Sequence, residues 1–198
     1  MSVRNKLLTE IQSAIENNEI LDNIDISGVD LSFLNLTGIT ADRLQGQKTD
    51  FKGTALMNAS FRDCNFDEAV FENCNFQEAD IADCFFYRTQ FQHVSMKKAK
   101  LAISFCSEAC FDGADLSESI LVGTSFDDAS FVNANLSRAD AESVVFIGAD
   151  LTGADLSYGN FEEADFTNAK LDRVRWKGAN IKGAVFDEII KGKIITLI

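Results

Sequence analysis

Apolar residues recur at every fifth position from Ile26 to Phe186, with no insertion or deletion to break the register. The run includes Phe51, Leu56, Phe61, Phe66, Phe71, Phe76, Ile81, Phe86 and Phe91, and continues through Phe111, Phe126, Leu136, Leu156, Phe161 and Trp176. Two residues before most of them stands a small one, as at Ala59, Cys64, Ala69, Cys74, Ala79, Cys84, Ala149 and Ala154. A period of five is neither the 3.6 of a helix nor the 2 of a strand. Short, exact repetition marks a solenoid, in which each unit buries its apolar face only by stacking on its neighbours.

The unit reads A(D/N)LXX, as in Ala149-Asp150-Leu151 and Ala154-Asp155-Leu156. It resembles the pentapeptide-repeat family, which implies an all-β, right-handed quadrilateral parallel β-helix with four pentapeptides per coil. The sequence tests that implication, because side chains twenty residues apart should then form ladders. One ladder is Phe66, Phe86, Cys106, Phe126, Phe146, Phe166 and Phe186; its neighbour is Phe51, Phe71, Phe91, Phe111, Phe131, Leu151 and Leu171. The other two are mainly leucine and isoleucine, through Leu36, Leu56, Leu116 and Leu136, and through Ile81, Leu101, Leu121 and Ile181. Phe thus sorts onto two adjacent faces and Leu/Ile onto the other two. Eight coils at the inter-strand spacing would make a rod of roughly 40 Å. Cys106 and Ala141 are undersized and predict thin spots, while Ala41 and Gly46 predict a poorly formed first coil, with regular stacking from about Phe51.

A solenoid needs caps over its open ends. Leu7, Leu8, Ile11, Ala14 and Ile15 fall at helical spacing behind Ser2, a suitable N-cap, so residues 1–22 are expected to carry a capping helix. Residues 23–187 form the β-helix. The apolar tail over 188–198, with Ile189, Ile190, Ile194, Ile195, Leu197 and Ile198, is expected either to cap the last coil or to pair with a second copy.

Catalytic chemistry finds little footing. Five cysteines lack any CxxC pairing; Cys64, Cys74, Cys84 and Cys106 read as buried small hydrophobes and Cys110 as the outward thiol. The single histidine, His93, falls on an outward corner with no nucleophile in register beside it. Gly148, Gly153, Gly178 and Gly183 recur two residues after a central position, where the chain turns, and serve geometry. No proline occurs, as befits a backbone whose donors are all used between coils. No cofactor is expected. The charged N-terminal segment does not read as a signal peptide and no apolar run reads as a membrane span, so a bacterial cytoplasmic location is expected.

The net charge of −13 is concentrated: residues 107–169 hold thirteen acids against one base, Arg138. The acids include Asp112, Asp115, Asp127, Asp128, Asp140, Glu142, Asp150, Glu162 and Glu163, all outward by register. A belt of ~15 Å with that charge approaches the density of duplex DNA, one charge per ~1.7 Å. Direct nucleic-acid binding is therefore not expected. The resemblance implies a more specific use, since the family includes DNA mimics that bind DNA gyrase and topoisomerase IV; it also includes secreted effectors acting on host proteins. Outward apolar residues supply a second signal. Phe85 and Phe105 occupy the position where Asp or Asn is normal, twenty apart, with Tyr87 beside them and Val145 two coils on; Ala102, Ile103, Ile120 and Val122 gather on the adjacent face. Lys97, Lys98, Lys100 and Arg88 form the one basic cluster. The expectation is a rigid, acidic protein-interaction scaffold without catalysis, with a type II topoisomerase as candidate partner.

Overall fold

The computed structural model describes residues 3–187. Ser2 and the 188–198 tail, expected as N-cap and as cap or dimerisation segment, lie outside the described residues. A helix, α1 (Val3–Asn17), precedes five three-residue strands: β1 (Ile20–Asp22), β2 (Thr40–Asp42), β3 (Ser60–Arg62), β4 (Asp80–Ala82) and β5 (Lys100–Ala102). Their order in the sheet is sequential and every pairing is parallel at a shift of twenty, as in Phe61↔Ile81 and Ile81↔Leu101. The five strands define four turns of a parallel solenoid. Isolated bridges carry the same register onward to Asn160↔Asn180 and Asp165↔Val185. Bridges also recur at five-residue steps within a coil, as at Asp25, Asp30 and Asn35, and these give the coil its four sides. The sides are named here by their central residues: face A (Phe61, Ile81, Leu101), face B (Phe66, Phe86, Cys106), face C (Phe71, Phe91, Phe111) and face D (Phe76, Met96, Leu116).

Each pentapeptide repeats one backbone circuit. On face B, the Asn65 N–H donates to Leu44 in the coil below at 2.9 Å and the Phe66 N–H to Phe85 in the coil above at 2.8 Å. Glu68 donates to Tyr87 at 2.8 Å, and Ala69 closes the turn onto Phe66 at 3.0 Å. The corner residue, two after the centre, is left-handed throughout: Gly148 and Gly153 have φ of 69° and 73°, but Asp63, Arg88 and even Ile103 hold 52–54°. Glycine is the unstrained choice there, and a β-branched residue is the least comfortable one.

The core is a stack of rings and small side chains. Phe51, Phe71, Phe91, Phe111 and Phe131 lie face to face at centroid separations of 4.6, 5.2, 4.6 and 4.8 Å, close to the coil pitch. Face B meets them edge-on, as Phe126 meets Phe131 at 5.0 Å and 83°. Small inward residues do more than leave room. Thr54 donates its hydroxyl to the Leu31 carbonyl at 2.8 Å and Cys74 its thiol to the Phe51 carbonyl at 2.8 Å, both 23 residues down the chain. Cys106 is fully buried and interrupts the face B rings, which stack from Phe66 to Phe86 and resume from Phe126 to Phe146.

The first coil departs from expectation. Regular pairing starts at Ile20, not near Phe51, and Ala41 is wholly buried. The reason is an exchange of volume within each pentapeptide. Ile39 and Leu44 fill the normally small position and are buried, compensating for Ala41 and Gly46 at the normally large one. At Gly46 a Cβ would come within 2.8 Å of the Phe66 ring, so the glycine makes the space that ring occupies. Helix α1 lies over this coil through Ile11 and Ala14, with Leu7, Leu8 and Ile15 half-buried against the same core. It ends at left-handed Asn18, where the Glu19 N–H donates to the Ala14 carbonyl at 2.8 Å.

Candidate protein-interaction surface

The outward side chains divide into those that serve the backbone and those that do not. One N–H per pentapeptide, that of the residue after the centre, is left over by the circuit above. The Asp or Asn before the centre accepts it. Asp25 caps Ser27 at 2.9 Å, Asn65 caps Asp67 at 2.9 Å, Asp115 caps Ser117 at 3.0 Å, and Asp150, Asp155 and Asp165 cap Thr152, Ser157 and Thr167 at 3.0, 3.0 and 2.9 Å. The D/N of the repeat is thus an Asx-turn acceptor, a local bond these side chains make more readily than others. This role was missed in the sequence, although the preference for Asp and Asn over Glu and Gln signals it: only the shorter side chain reaches an N–H two residues on.

The acidic belt shrinks accordingly. It was expected to face solvent throughout, but Asp112, Asp115, Asp150, Asp155 and Asp165 are half-buried and bonded to the backbone. Asp112 reaches one coil up, accepting from the Val132 N–H at 3.0 Å and the Ser130 hydroxyl. Five belt acids are also paired with bases one coil away that lie outside the 107–169 stretch. These are Glu108 with Arg88 at 2.7 Å, Glu118 with Lys97 at 3.2 Å, Asp150 with Lys170 at 3.1 Å, Asp155 with Arg175 at 2.6 Å and Glu162 with Lys182 at 2.5 Å. Burial pushes the Asp155 carboxyl upward, but Arg175 and the Ser157 hydroxyl and N–H outweigh it and hold it below the usual range. Asp150 follows the same balance against Thr152 and Lys170, and Lys182 and Asn180 lower half-buried Glu162.

The belt acids with neither an ion pair nor a bond to the backbone among the described residues are a smaller set: Asp127, Asp128, Asp140, Glu142 and Glu163. They are not spread around the rod. Asp127 and Asp128 stand on face B and its corner, while Asp140, Glu142 and Glu163 stand on face A and its corner. Asp127 accepts from the Ser125 hydroxyl and Asp140 from the Asn160 amide at 3.0 Å, so both are oriented without being neutralised. The candidate residues Asp112 and Asp150 on face C and Asp115 on face D belong to other sides. The basic cluster is likewise committed, with Lys98 joining Lys97 on Glu118 at 4.0 Å and Lys100 on Asp80 at 3.4 Å.

Directly below the free carboxylates, on the same two faces, lie the outward apolar residues. Phe85 and Phe105 stack at 5.3 Å and 12° with 46% and 49% of their surface exposed. Ile103, between faces A and B, is 60% exposed, and Ile120 is exposed on face A. Tyr87 borders them. Its hydroxyl donates to Glu108 at 3.1 Å, and the Arg88 guanidinium sits 4.8 Å over its ring. Ile147 and Val185 are also exposed on face B, at positions readable from the register but not singled out there.

Nothing in this surface resembles a reaction centre. Cys110 keeps its outward position but is half-buried, and burial pushes its thiol pKa up, away from the thiolate form. Cys74 is pushed up to about 12 for the same reason. No group of three His, Cys, Asp or Glu among the described residues is placed to hold a metal ion. No described helix is long and apolar enough to cross a membrane. A groove between α1 and the first coil is lined by Lys6, Leu7, Glu10, Asp25 and Val29, but its Asp25 is held by Ser27.

Comparison with known proteins agrees with the geometry. A family model described as pentapeptide repeats matches residues 24–63, 109–148 and 160–188, and a second of the same description matches 47–100. No match was found among curated proteins. Among solved structures the chain is similar to HetL, a pentapeptide repeat protein involved in heterocyst differentiation regulation in Nostoc sp. strain PCC 7120. The identity is 22% over 95% of this chain and 98% of that one, with a TM-score of 0.35. It is similar to full-length QnrB1, a plasmid-mediated fluoroquinolone resistance protein, at 19% identity over 89% and 95% with a TM-score of 0.40. It is also similar to a thylakoid-lumen pentapeptide repeat protein of Arabidopsis thaliana, at 23% over 55% and 76% with a TM-score of 0.33. At such identities and scores these proteins' partners do not pass to this chain.

Proposed function

Because the chain belongs to the pentapeptide-repeat family, we propose that it works as a rigid, non-catalytic binding rod that presents carboxylates to a basic protein surface. The observation that carries this reading is the cluster of Asp127, Asp128, Asp140, Glu142 and Glu163. Among the described residues these acids make no ion pair and no bond to the backbone, whereas the acids elsewhere in the belt accept from backbone N–H groups or are paired along the rod. Carboxylates carried on a backbone that is hydrogen-bonded from coil to coil need little ordering when a partner arrives, so little conformational entropy is lost on binding. Fixed anionic arrays of this kind suit surfaces that evolved to hold a phosphate backbone. A type II topoisomerase is therefore the first partner to test, acting in the cytoplasm of a bacterial cell.

The test is a DNA gyrase supercoiling assay with and without a fluoroquinolone. The expected result is inhibition, or protection from the drug, that disappears when Asp127, Asp128, Asp140 and Glu142 are replaced by their amides. No effect of the unaltered protein would dismiss the topoisomerase. An effect that survives the four replacements would show that the carboxylates only keep the rod soluble.

A further inference from the structure

Of the four apolar residues that stand before a centre on face B, Phe85, Phe105, Val145 and Val185, the two phenylalanines go furthest against the chemistry that builds the rod. The residue before each centre normally caps the N–H two residues on, as Asn65 does for Asp67 and Asp165 for Thr167. Phe85 and Phe105 occupy that position and can accept nothing. The Tyr87 N–H is rescued from the coil below by the Asp67 carboxylate at 2.8 Å, while the Ser107 N–H has neither an Asx cap nor such a rescue. Ile103 adds a β-branched residue at φ 53°. Three local rules of the repeat are broken within two coils, and each break places a large apolar side chain in water. Sites where local chemistry and fold disagree without internal compensation are where function is to be sought.

The surroundings define what would cover this patch. Beyond it toward the C-terminus stand the unpaired Asp127, Asp128, Asp140 and Glu142, with Ile120 bridged directly to Asp140. On its other side, on the same two faces, stand Asp63, Asp67 and Asp83 against one base without an ion pair among the described residues, Arg62, so that end is acidic on balance. The bases nearest the patch, Arg88 and Lys100, are held by Glu108 and Asp80. The patch is thus apolar in its middle and anionic at both ends. A second copy docked antiparallel would set one anionic end against the other, and a parallel one would match like with like. Duplex nucleic acid is repelled by the same charges.

We propose that faces A and B from Phe85 to Glu142 dock a basic amphipathic segment of another protein. Its apolar side chains rest on Phe85, Ile103, Phe105 and Ile120, and its lysines or arginines meet Asp127, Asp128, Asp140 and Glu142. The proposal rests on the reading of the molecule as a protein-binding rod and specifies the face and the chemistry of the partner.

The test uses the full chain and dye-labelled synthetic peptides read by fluorescence anisotropy: an amphipathic Leu/Lys helix, its Leu/Glu counterpart, and a scramble of the first with equal charge and no apolar face. The Leu/Lys helix is expected to bind and the other two to bind at least tenfold more weakly, the scale set by losing an interface anchor, about tenfold or more. Phe85→Asn with Phe105→Asn restores the repeat's own cap, so the doubly altered chain should keep its melting temperature while losing about tenfold in affinity. The four amide replacements should weaken binding and flatten its salt dependence. Equal binding of helix and scramble, or full binding by the Asn variant, would overturn the proposal, since charge alone would then suffice. So would a dimer, seen by sedimentation, that the Asn variant dissolves. A silent gyrase assay with peptide binding intact removes only the topoisomerase; a gyrase effect that the Asn variant retains, without peptide binding, removes only this proposal.

Discussion

The C-terminal coils and the middle coils are built from the same pentapeptide but use its outward position differently. From Asp150 to Asp165 each acid before a centre caps its turn, and Asp150 and Asp155 also hold Lys170 and Arg175 in the coil above. Between Phe85 and Glu142 two exposed rings stand where face B could carry caps, and Asp127, Asp128, Asp140 and Glu142 make no ion pair among the described residues, although Asp115 still caps Ser117 and Glu108 and Glu118 still hold Arg88 and Lys97. The interior is continuous through both regions, with Phe111, Phe131 and Phe146 fully buried across the change. A solenoid separates the two concerns because each residue is committed by its place in the pentapeptide. The inward positions answer to packing, and the outward ones can be changed coil by coil at little risk to the stack.

The comparison breaks most visibly inside the rod. Phe111 stacks on Phe91 and Phe131 at 4.6 and 4.8 Å and meets Phe126 edge-on at 5.5 Å, with no exposed surface. Phe111→Ala should lower the unfolding free energy by about 3–5 kcal/mol, measured by urea titration. The neighbouring coils are expected to lose cooperativity with it, since each coil is held only by those it touches. A loss below about 1 kcal/mol would mean that the ladder is locally replaceable and that the core is not the common element assumed here.

The fold was legible because packing in a solenoid is periodic, and periodicity is visible in a string of letters. Phe66, Phe86 and Phe126 fall on one face by counting alone. The first coil was misread because volume was counted one position at a time: Ile39 with Ala41, and Leu44 with Gly46, each fill their side by exchange, which shows only when the pair is summed. The surface was half legible. Register placed Phe85, Tyr87 and Phe105 outward, but counting charge along the chain could not show that Asp150, Asp155 and Glu162 have partners twenty residues on. Ion pairing here runs along the rod axis, perpendicular to the chain. Cys110 shows a related gap, since the register gave its outward direction but not how deeply neighbouring coils cover a short side chain.

A middle-sized effect separates structural carboxylates from presented ones. Asp155→Ala removes a turn cap and the partner of Arg175 and should cost about 1–2 kcal/mol, as losing comparable caps does. Asp128→Asn, on an exposed left-handed corner that Asn tolerates as Asp does, should leave the unfolding midpoint unchanged. The same distinction has a pH signature. Asp150, Asp155 and Glu162 have pKa values lowered in the folded chain, so their contribution is complete above the unfolded values, 3.8 for Asp and 4.5 for Glu, and is lost as pH falls through the lower folded ones. Urea midpoints taken downward from neutral pH should therefore decline below those values, and less steeply in Asp155→Asn. An equal decline in both chains would mean that the carboxylate–Arg175 pair adds nothing, as exposed pairs often do.

The smallest effect is the one that bears most on the middle coils. Phe85→Asn with Phe105→Asn exchanges a stacked, half-exposed ring pair for one new Asx cap, on Ser107, since Asp67 already holds the Tyr87 N–H. The lost stacking amounts to about 0.5–1.5 kcal/mol and the one new cap returns about 0.5–1.5 kcal/mol, so stability should stay within about 1 kcal/mol of the starting chain. Near-neutrality is the informative outcome, because a fold that gains nothing from two exposed phenylalanines leaves their presence to be explained from outside the rod. A loss above about 2 kcal/mol would reverse the argument. The rings would then be clamping adjacent coils where the caps are missing, and the middle of the molecule would differ from its C-terminal end only in how it is held together.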